Sequence, residues 1–412
     1  MSVLHARYLS TRLSQALSDT PVVLLNGARQ TGKTTLAEQI AARSDGRYLT
    51  LDEPTMLDAA LSDPVSFVDV DERLTVIDEV QKAPQLFAAI KRVVDRKRQA
   101  GSFLLTGSAD VWMLPDVSES LAGRIEILTL YPLAQAEIED IESAWVDRLF
   151  RNKPLSVQPG AGPGVVERLA AGGFPEVLTR KKAERRRAWF DAYVTTIIQR
   201  DVRSLSNIEG LSTLPRLLDL IAARSGALLN VAEFARAAAM AQMTLHRYFA
   251  LLQATFLFQP LPAWHANLGK RLIKTPKVYL LDSGLACALL GLDVAGIAAS
   301  SQYGPLLETF VLGELRRLCA AMNSPPRIYH YRSAGGVEVD FVLEDASRRI
   351  AGIEVKAAKS IGIKEFSGLQ DLMNACGEKF ACGIVLYGGN ETVRFGPRLH
   401  AVPIHTLWSV AG

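Results

Sequence analysis

The chain has 412 residues, 49% of them hydrophobic and 22% charged, enough apolar material for two or three ordinary domains. Its formal net charge of +3 excludes a global positive field, so a nucleic-acid partner would have to be met through local patches. No apolar run reaches the roughly 18 residues a membrane span requires, and residues 1–25 lack a signal-peptide core, so no membrane contact and a cytoplasmic location are expected.

In chain order, the apolar run Val22-Val23-Leu24-Leu25 predicts a buried strand. It is followed by Gly27-Ala28-Arg29-Gln30-Thr31-Gly32-Lys33-Thr34-Thr35, the spacing of a complete phosphate-binding loop leading into a helix. Glycines at both ends let backbone N–H groups turn inward on a phosphate, Lys33 reaches the β and γ oxygens, and Thr34 ligates Mg²⁺. ATP and Mg²⁺ are therefore the expected cofactors. Leu74–Ile77 reads as a second buried strand ending in Asp78-Glu79. Asp78 is expected to hold Mg²⁺ through water and Glu79 to polarise the attacking water, which predicts hydrolysis as well as binding.

Strand-like runs at Val22–Leu25, Tyr48–Leu51, Val76–Ile77, Phe103–Thr106 and Ile125–Leu130 alternate with amphipathic stretches such as Gln85–Arg98, the pattern of a doubly wound α/β domain over residues 1–135. Ser108, in Thr106-Gly107-Ser108, stands at a strand end as either a nucleotide sensor or part of an ordinary turn. Arg124, in Ser120-Leu121-Ala122-Gly123-Arg124, is a candidate arginine finger acting on a neighbouring subunit's nucleotide, an exposed surface arginine being the competing reading. A finger in trans implies a homo-oligomer.

After the turn-rich Pro159–Gly164, helices are expected over Val165–Leu178 and Lys182–Leu205, a candidate lid spanning 136–220. The basic residues Arg180, Lys181, Lys182, Arg185, Arg186 and Arg187 are either a phosphate-binding cluster or a solvated face. Arg200-Asp201 is either a salt-bridged hinge or a second sensor. Over 221–295, two short helices and the strand-like Phe256–Pro260 and Lys277–Leu281 predict a winged-helix module. Thr244, His246 and Arg247 on its second helix are the candidate DNA contacts; such modules also dock proteins or serve structure alone.

In the last segment, 296–412, period two puts Glu338 with Asp340 on one strand face and Glu354 with Lys356 on another. A hairpin would bring Asp340 and Glu354 together around a divalent cation, with Lys356 beside them and Glu308 as a further acid. This is the residue pattern of nucleases of the PD-(D/E)xK, restriction-endonuclease-like fold, which also survive as binding platforms without turnover. Cys287, Cys319, Cys376 and Cys382 show no metal-binding spacing and are expected to be buried thiols.

Together these motifs resemble a group of prokaryotic AAA-type ATPases that carry a C-terminal domain of unknown function with a nuclease-like fold. The resemblance rests on Gly27–Thr35, Val76–Gln81 with Lys82-Ala83-Pro84, Leu105–Ser108, Ser120–Arg124, Gly172-Gly173-Phe174-Pro175, Arg200-Asp201, Lys277-Val278-Tyr279 with Asp282-Ser283-Gly284, and Glu354-Val355-Lys356. It implies an AAA-type core and assembly as a ring, expected to be hexameric. The fold expected is α/β: a P-loop AAA-type core, a helical lid, a winged helix and a nuclease-like domain. The expected activity is that of an ATP-hydrolysing motor on duplex or branched DNA, by fold-level analogy with Holliday-junction branch-migration motors. The alternative is an ATP-dependent switch that docks a protein partner, itself unknown, without DNA activity.

Overall fold

The computed structural model describes residues 5–69, 73–108, 121–151, 155, 162–203, 211–267, 269, 271 and 274–410. Two compact units are present: Ala6–Pro132 with Gln253–Phe256, and Leu133–Leu252 with Leu257–Gly412 and Met1–His5.

The N-terminal unit is built on strands β1 (Val22–Asn26), β2 (Arg47–Thr50), β3 (Thr75–Asp78), β4 (Phe103–Gly107) and β5 (Ile125–Thr129). They form one parallel sheet in the order β2-β3-β4-β1-β5. Both faces are covered, which is why β1 and β4 are buried along their whole length and apolar up to their carboxyl ends. Period two then divides their side chains. Val22, Leu24, Ile77, Phe103 and Leu105 pack on one side with the helix Leu86–Lys97, whose buried Phe87, Ile90 and Val94 recur at helical spacing. Val23, Leu25, Val76, Leu104 and Leu128 pack on the other with Leu13 of the helix Leu9–Asp19 and Leu36 and Ile40 of the helix Lys33–Arg43. Each fully buried aliphatic side chain contributes about 1.5–3 kcal/mol. Adjacency of β1, β4 and β3 brings their carboxyl ends together at one edge, where α/β sheets bind ligands.

The C-terminal unit holds strands β6 (Arg327–Arg332), β7 (Glu338–Glu344), β8 (Ile350–Lys356), β9 (Phe380–Tyr387), β10 (Val393–Gly396) and β11 (Leu399–Pro403) in the order β10-β11-β9-β8-β7-β6. The β6-β7-β8 run is antiparallel, and β8, β9 and β11 are mutually parallel. Phe366, Leu369 and Leu372 of the segment through the helix Ser367–Cys376 pack on Val339, Val342, Phe380 and Val385 of this sheet.

Three expectations need correction. The helix expected over Val165–Leu178 is two helices, Val165–Ala171 and Pro175–Leu178, because Gly172 adopts φ +69° and turns the chain. That over Lys182–Leu205 is α-helical for Ala183–Thr196 and π-helical for Ile197–Val202, and Leu205 lies outside the described residues. The strands expected at Phe256–Pro260 and Lys277–Leu281 are reduced to isolated antiparallel bridges, Phe258 with Leu280 and Leu261 with Lys277. Pro260, Pro262 and Pro276 carry no N–H, so no ladder propagates there. The two helices ahead of them are present at Val231–Ala238, capped by Asn230, and Gln242–Ala254.

Candidate functional site

In the N-terminal unit the phosphate-binding loop runs from the end of β1 into the helix Lys33–Arg43. Gly27 sits at φ +147°, and a Cβ there would lie 2.3 Å from the Leu130 carbonyl oxygen, so only glycine fits. Gly32 takes φ +95° as the helix N-cap, which lets the chain enter the helix directly from the loop. The Lys33 ammonium is buried and donates to the Gly27 carbonyl at 3.0 Å and the Ala28 carbonyl at 2.8 Å, so it already lies inside the loop. Ala28 is buried with it, and the Thr31 hydroxyl donates to the Ala28 carbonyl at 2.9 Å. Gln30 supplies a left-handed residue at φ +62°, Arg29 is half-buried, and Thr34 and Thr35 are exposed at the helix start.

Asp78, at the end of β3, is buried and surrounded by donors. The Thr34 hydroxyl lies 3.3 and 3.2 Å from its two oxygens, the Tyr48 hydroxyl donates at 3.0 Å, and Thr106 Oγ1 donates to Oδ1. Burial first, then the Asp78 charge, drives the Tyr48 phenol well above its ordinary value, so Tyr48 is a donor at neutral pH. A buried carboxylate beside a threonine hydroxyl is an all-oxygen pair suited to Mg²⁺.

Glu79 is held in the left-handed region at φ +59°, an uncommon conformation for a side chain of its size. Its N–H donates to Thr106 Oγ1 at 3.1 Å. The Glu79 carboxylate accepts from Ser108 Oγ at 3.1 Å and from Gln81 Nε2, and Gln81 also donates to Ser108 at 3.0 Å. Ser108 thus stands next to the candidate catalytic acid. Arg124, at the start of β5, pairs through Nε with Asp95 and donates to the Ala122 carbonyl at 3.0 Å, so within its own unit it is a half-exposed ion-pair partner. Ser120 lies outside the described residues.

Arg7 was not legible as a site residue. Its guanidinium donates to the Thr31 carbonyl and to the Tyr131 carbonyl, each at 2.6 Å, clamping the loop from behind. Nothing in the local spacing around Arg7 marks it, because its partners are backbone atoms 24 and 124 residues away.

A second cluster lies in the C-terminal unit. β7 pairs with β8 from Phe341 opposite Ile353, and at the next residue Asp340 Oδ2 accepts from the Val355 N–H at 2.9 Å, beside Glu354. Glu308, on the helix Tyr303–Ala320, accepts from the Tyr279 hydroxyl at 3.0 Å. Lys356 pairs with Glu354 at 2.7 Å. The expected residues are therefore gathered in one place, together with one the pattern did not call for: Lys277 Nζ lies 3.3 Å from Asp340 and 3.6 Å from both Glu308 and Glu338. Burial works against the Lys277 ammonium, but Asp340, Glu308 and Glu338 outweigh it and hold its pKa above the ordinary lysine value. Burial, reinforced by Asp340, pushes Glu308 up to about 8 and Glu354 up to about 7. Among the described residues no group of three or more His, Cys, Asp or Glu is arranged to hold a metal ion. Lys277 and Tyr279 belong to a motif visible in the sequence, yet neither carried a role there.

Other motifs prove architectural. Asp282 caps the helix Ser283–Leu290 by accepting from Gly284 and Leu285, while Oδ2 accepts from Gly173 N–H and from Arg317, both at 2.9 Å. Gly172-Gly173 and Asp282-Ser283-Gly284 therefore form one buried lock within the C-terminal unit. On the helix Gln242–Ala254, Leu245, Tyr248, Phe249 and Leu252 are buried, and Thr244, His246 and Arg247 lie on the exposed face. Cys287, Cys319 and Cys382 are buried free thiols, and Cys376 is half-buried.

The chain matches three family models: an AAA domain over residues 19–139, a domain of unknown function (DUF8612) over 163–295, and a domain of unknown function (DUF4143) over 303–407. It is 33% identical over 405 residues to the uncharacterized protein Rv2008c of Mycobacterium tuberculosis, covering 97% of this chain and 84% of that protein, and equally to the uncharacterized protein Mb2031c of Mycobacterium bovis. Among solved structures, the Walker-type ATPase of Pyrococcus abyssi superposes with a TM-score of 0.41 at 14% identity, over 68% of this chain and 94% of that one. The Thermotoga maritima RuvB Holliday junction branch migration motor gives 0.28 at 19% identity, over 62% and 89%. No described helix is long and apolar enough to cross a membrane.

Proposed function

For a chain that belongs to the family of these two mycobacterial proteins and carries an AAA-type P-loop ATPase domain, we propose the function of an oligomeric ATP-hydrolysing motor that acts on duplex or branched DNA. The observation that carries the ATP-hydrolysis part of the reading is the division of labour between adjacent acids. Asp78 is turned to Thr34 and the loop, and Glu79 is turned by its left-handed backbone to Ser108 and Gln81.

In this reading the loop amides and Lys33 hold the β and γ phosphates, and Lys33 exchanges its carbonyl partners for phosphate oxygens. Mg²⁺ held by Thr34 and Asp78 would neutralise charge on the phosphates. Glu79 accepts a hydrogen bond from the attacking water and aligns it with the γ-phosphorus, while Gln81 and Ser108 fix its carboxylate. Arg124 is the candidate finger: it leaves Asp95 when a second copy presents its nucleotide, completing the site in a ring expected to be hexameric. The exposed face bearing Thr244, His246 and Arg247 supports a DNA-contact role for a winged-helix module, and the Asp340, Glu354, Lys356 and Glu308 cluster supports a nuclease-like module that engages the same DNA.

The test is DNA affinity as a function of salt for the nucleotide-loaded Glu79→Gln protein. Charge reversal Arg247→Glu weakens binding and reduces the salt slope; unaltered affinity and slope overturn the DNA assignment.

One observation favours a second reading, a nucleotide-controlled switch that docks a protein partner. Met243, on the same exposed face, is 86% exposed, an apolar side chain that a protein partner would cover and a phosphate would not. That reading predicts ATP hydrolysis indifferent to DNA.

A further inference from the structure

The acid cluster of the C-terminal sheet already holds a cation. Lys277 enters from the segment ahead of the helix Ser283–Leu290, and its ammonium stands among Asp340 and Glu338 of β7 and Glu308 of the helix Tyr303–Ala320. We infer that the Lys277 ammonium takes the place of the divalent ion that this acid constellation would otherwise bind, so that the cluster in this state is closed to metal. The inference deepens the reading of the nuclease-like module and rests on it.

Three features carry it. Asp340, Glu308 and Glu338, the last also paired with Arg332, supply carboxylate oxygens of the kind a hard cation takes, and here the point between them is filled by a side chain only 5% exposed. The lysine is built in, because its backbone exchanges both hydrogen bonds with Leu261, N–H to carbonyl at 2.9 Å in each direction. The acids are oriented inward by other groups, Asp340 by the Val355 N–H and Glu308 by the Tyr279 hydroxyl, so their positions do not depend on Lys277 alone. One oxygen, Glu354 Oε2, is buried without a hydrogen-bond partner among the described residues. With Lys277 removed, the four acids Glu308, Glu338, Asp340 and Glu354 keep two ion-pair partners among the described residues, Arg332 at Glu338 and Lys356 at Glu354, an excess of negative charge that a divalent ion neutralises. Metal-dependent chemistry at this site therefore requires a change that withdraws the segment carrying Lys277.

The experiment is a calorimetric Mn²⁺ titration without nucleotide, in an Asp78→Asn background that removes the other carboxylate-based metal site. The expected result is no Asp340-dependent Mn²⁺ binding in this parent. Lys277→Met should gain one site, tighter by about tenfold or more than any weak background and lost again on adding Asp340→Asn. Lys277→Gln is the second variant if Lys277→Met does not fold. Mn²⁺ binding by the parent that Asp340→Asn abolishes overturns the inference, as does a folded Lys277 variant that gains no site. Because the readout is metal binding, failure of the DNA-motor reading appears elsewhere, in DNA affinity and ATP turnover.

Discussion

The hydroxyl of Thr34 lies 3.2 Å from Oδ2 of Asp78, joining the first turn of the helix that follows the phosphate-binding loop to the end of β3. Tyr48 and Thr106 also donate to Asp78, so its carboxylate is held at the end of β3 beside the Thr34 hydroxyl. Replacing Asp78 with Asn should lower turnover on the order of 10²-fold or more, because the charge opposite the phosphates' counter-ion is lost while the shape is kept. Glu79→Gln should also abolish turnover yet retain ATP binding. Single-turnover hydrolysis alongside fluorescent-nucleotide titration distinguishes the two effects, and equal turnover in wild type and Glu79→Gln would contradict the assignment of Glu79.

Arg7 donates to two loop-side carbonyls, those of Thr31 and Tyr131. Arg7→Ala should cost about 1.5–3 kcal/mol of loop order, read as a ten- to hundredfold weaker ATP affinity, with turnover at saturation much less affected. Arg7→Lys should recover only part, since one ammonium does not reproduce a guanidinium spanning both carbonyls. A fall in saturated turnover with unchanged affinity would instead place Arg7 in the chemistry.

These findings mark what was legible in the chain. Strands β1 to β5 were readable within a residue or so, because the central β1, β3 and β4 are buried throughout with mostly apolar residues and the nucleotide loop follows β1 with fixed spacing, while β2 and β5 at the sheet's edges keep apolar residues such as Leu49, Ile125 and Leu128. Long-range contacts left no local mark: Arg7 acts through backbone carbonyls, and Lys277 reaches its acids from 31 to 63 residues away. The break at Gly172 was hidden for the same reason, since the requirement for glycine comes from Asp282, more than a hundred residues on.

That requirement makes a stability prediction. A Cβ at Gly172 would lie 2.0 Å from Asp282 Oδ1, on a residue at φ +69°. Gly172→Ala should therefore destabilise the chain by about 3 kcal/mol or more, combining backbone strain with a disrupted buried carboxylate. Gly123 has a similar φ of +74° but open space where a Cβ would stand, so Gly123→Ala should cost only about 1–2 kcal/mol. Chemical denaturation of both variants checks the contrast; equal losses would mean the Asp282 contact is unimportant.

Glu308 and Glu354 set a pH dependence. Burial raises both carboxyls from about 4.5 to about 8 and about 7, so the folded chain binds protons more tightly than the unfolded one. Their stabilising contribution is complete below about pH 4.5 and is lost as pH rises through the folded values, so the unfolding free energy should fall between about pH 5 and about pH 8. Glu308→Gln keeps a partner for Tyr279 but cannot ionise, and should flatten that slope. Denaturant titrations across this range test it; the same slope in wild type and Glu308→Gln would exclude Glu308 as its source.

The most direct test of the central claim is the steady-state ATPase rate of the purified protein alone and with duplex, single-stranded and four-way-junction DNA, at one fixed low salt concentration because phosphate contacts weaken steeply with salt. The account predicts turnover that Lys33→Ala eliminates and that one DNA form stimulates several-fold, naming the substrate. A rate unchanged by every DNA form would contradict the motor and leave the protein-docking switch.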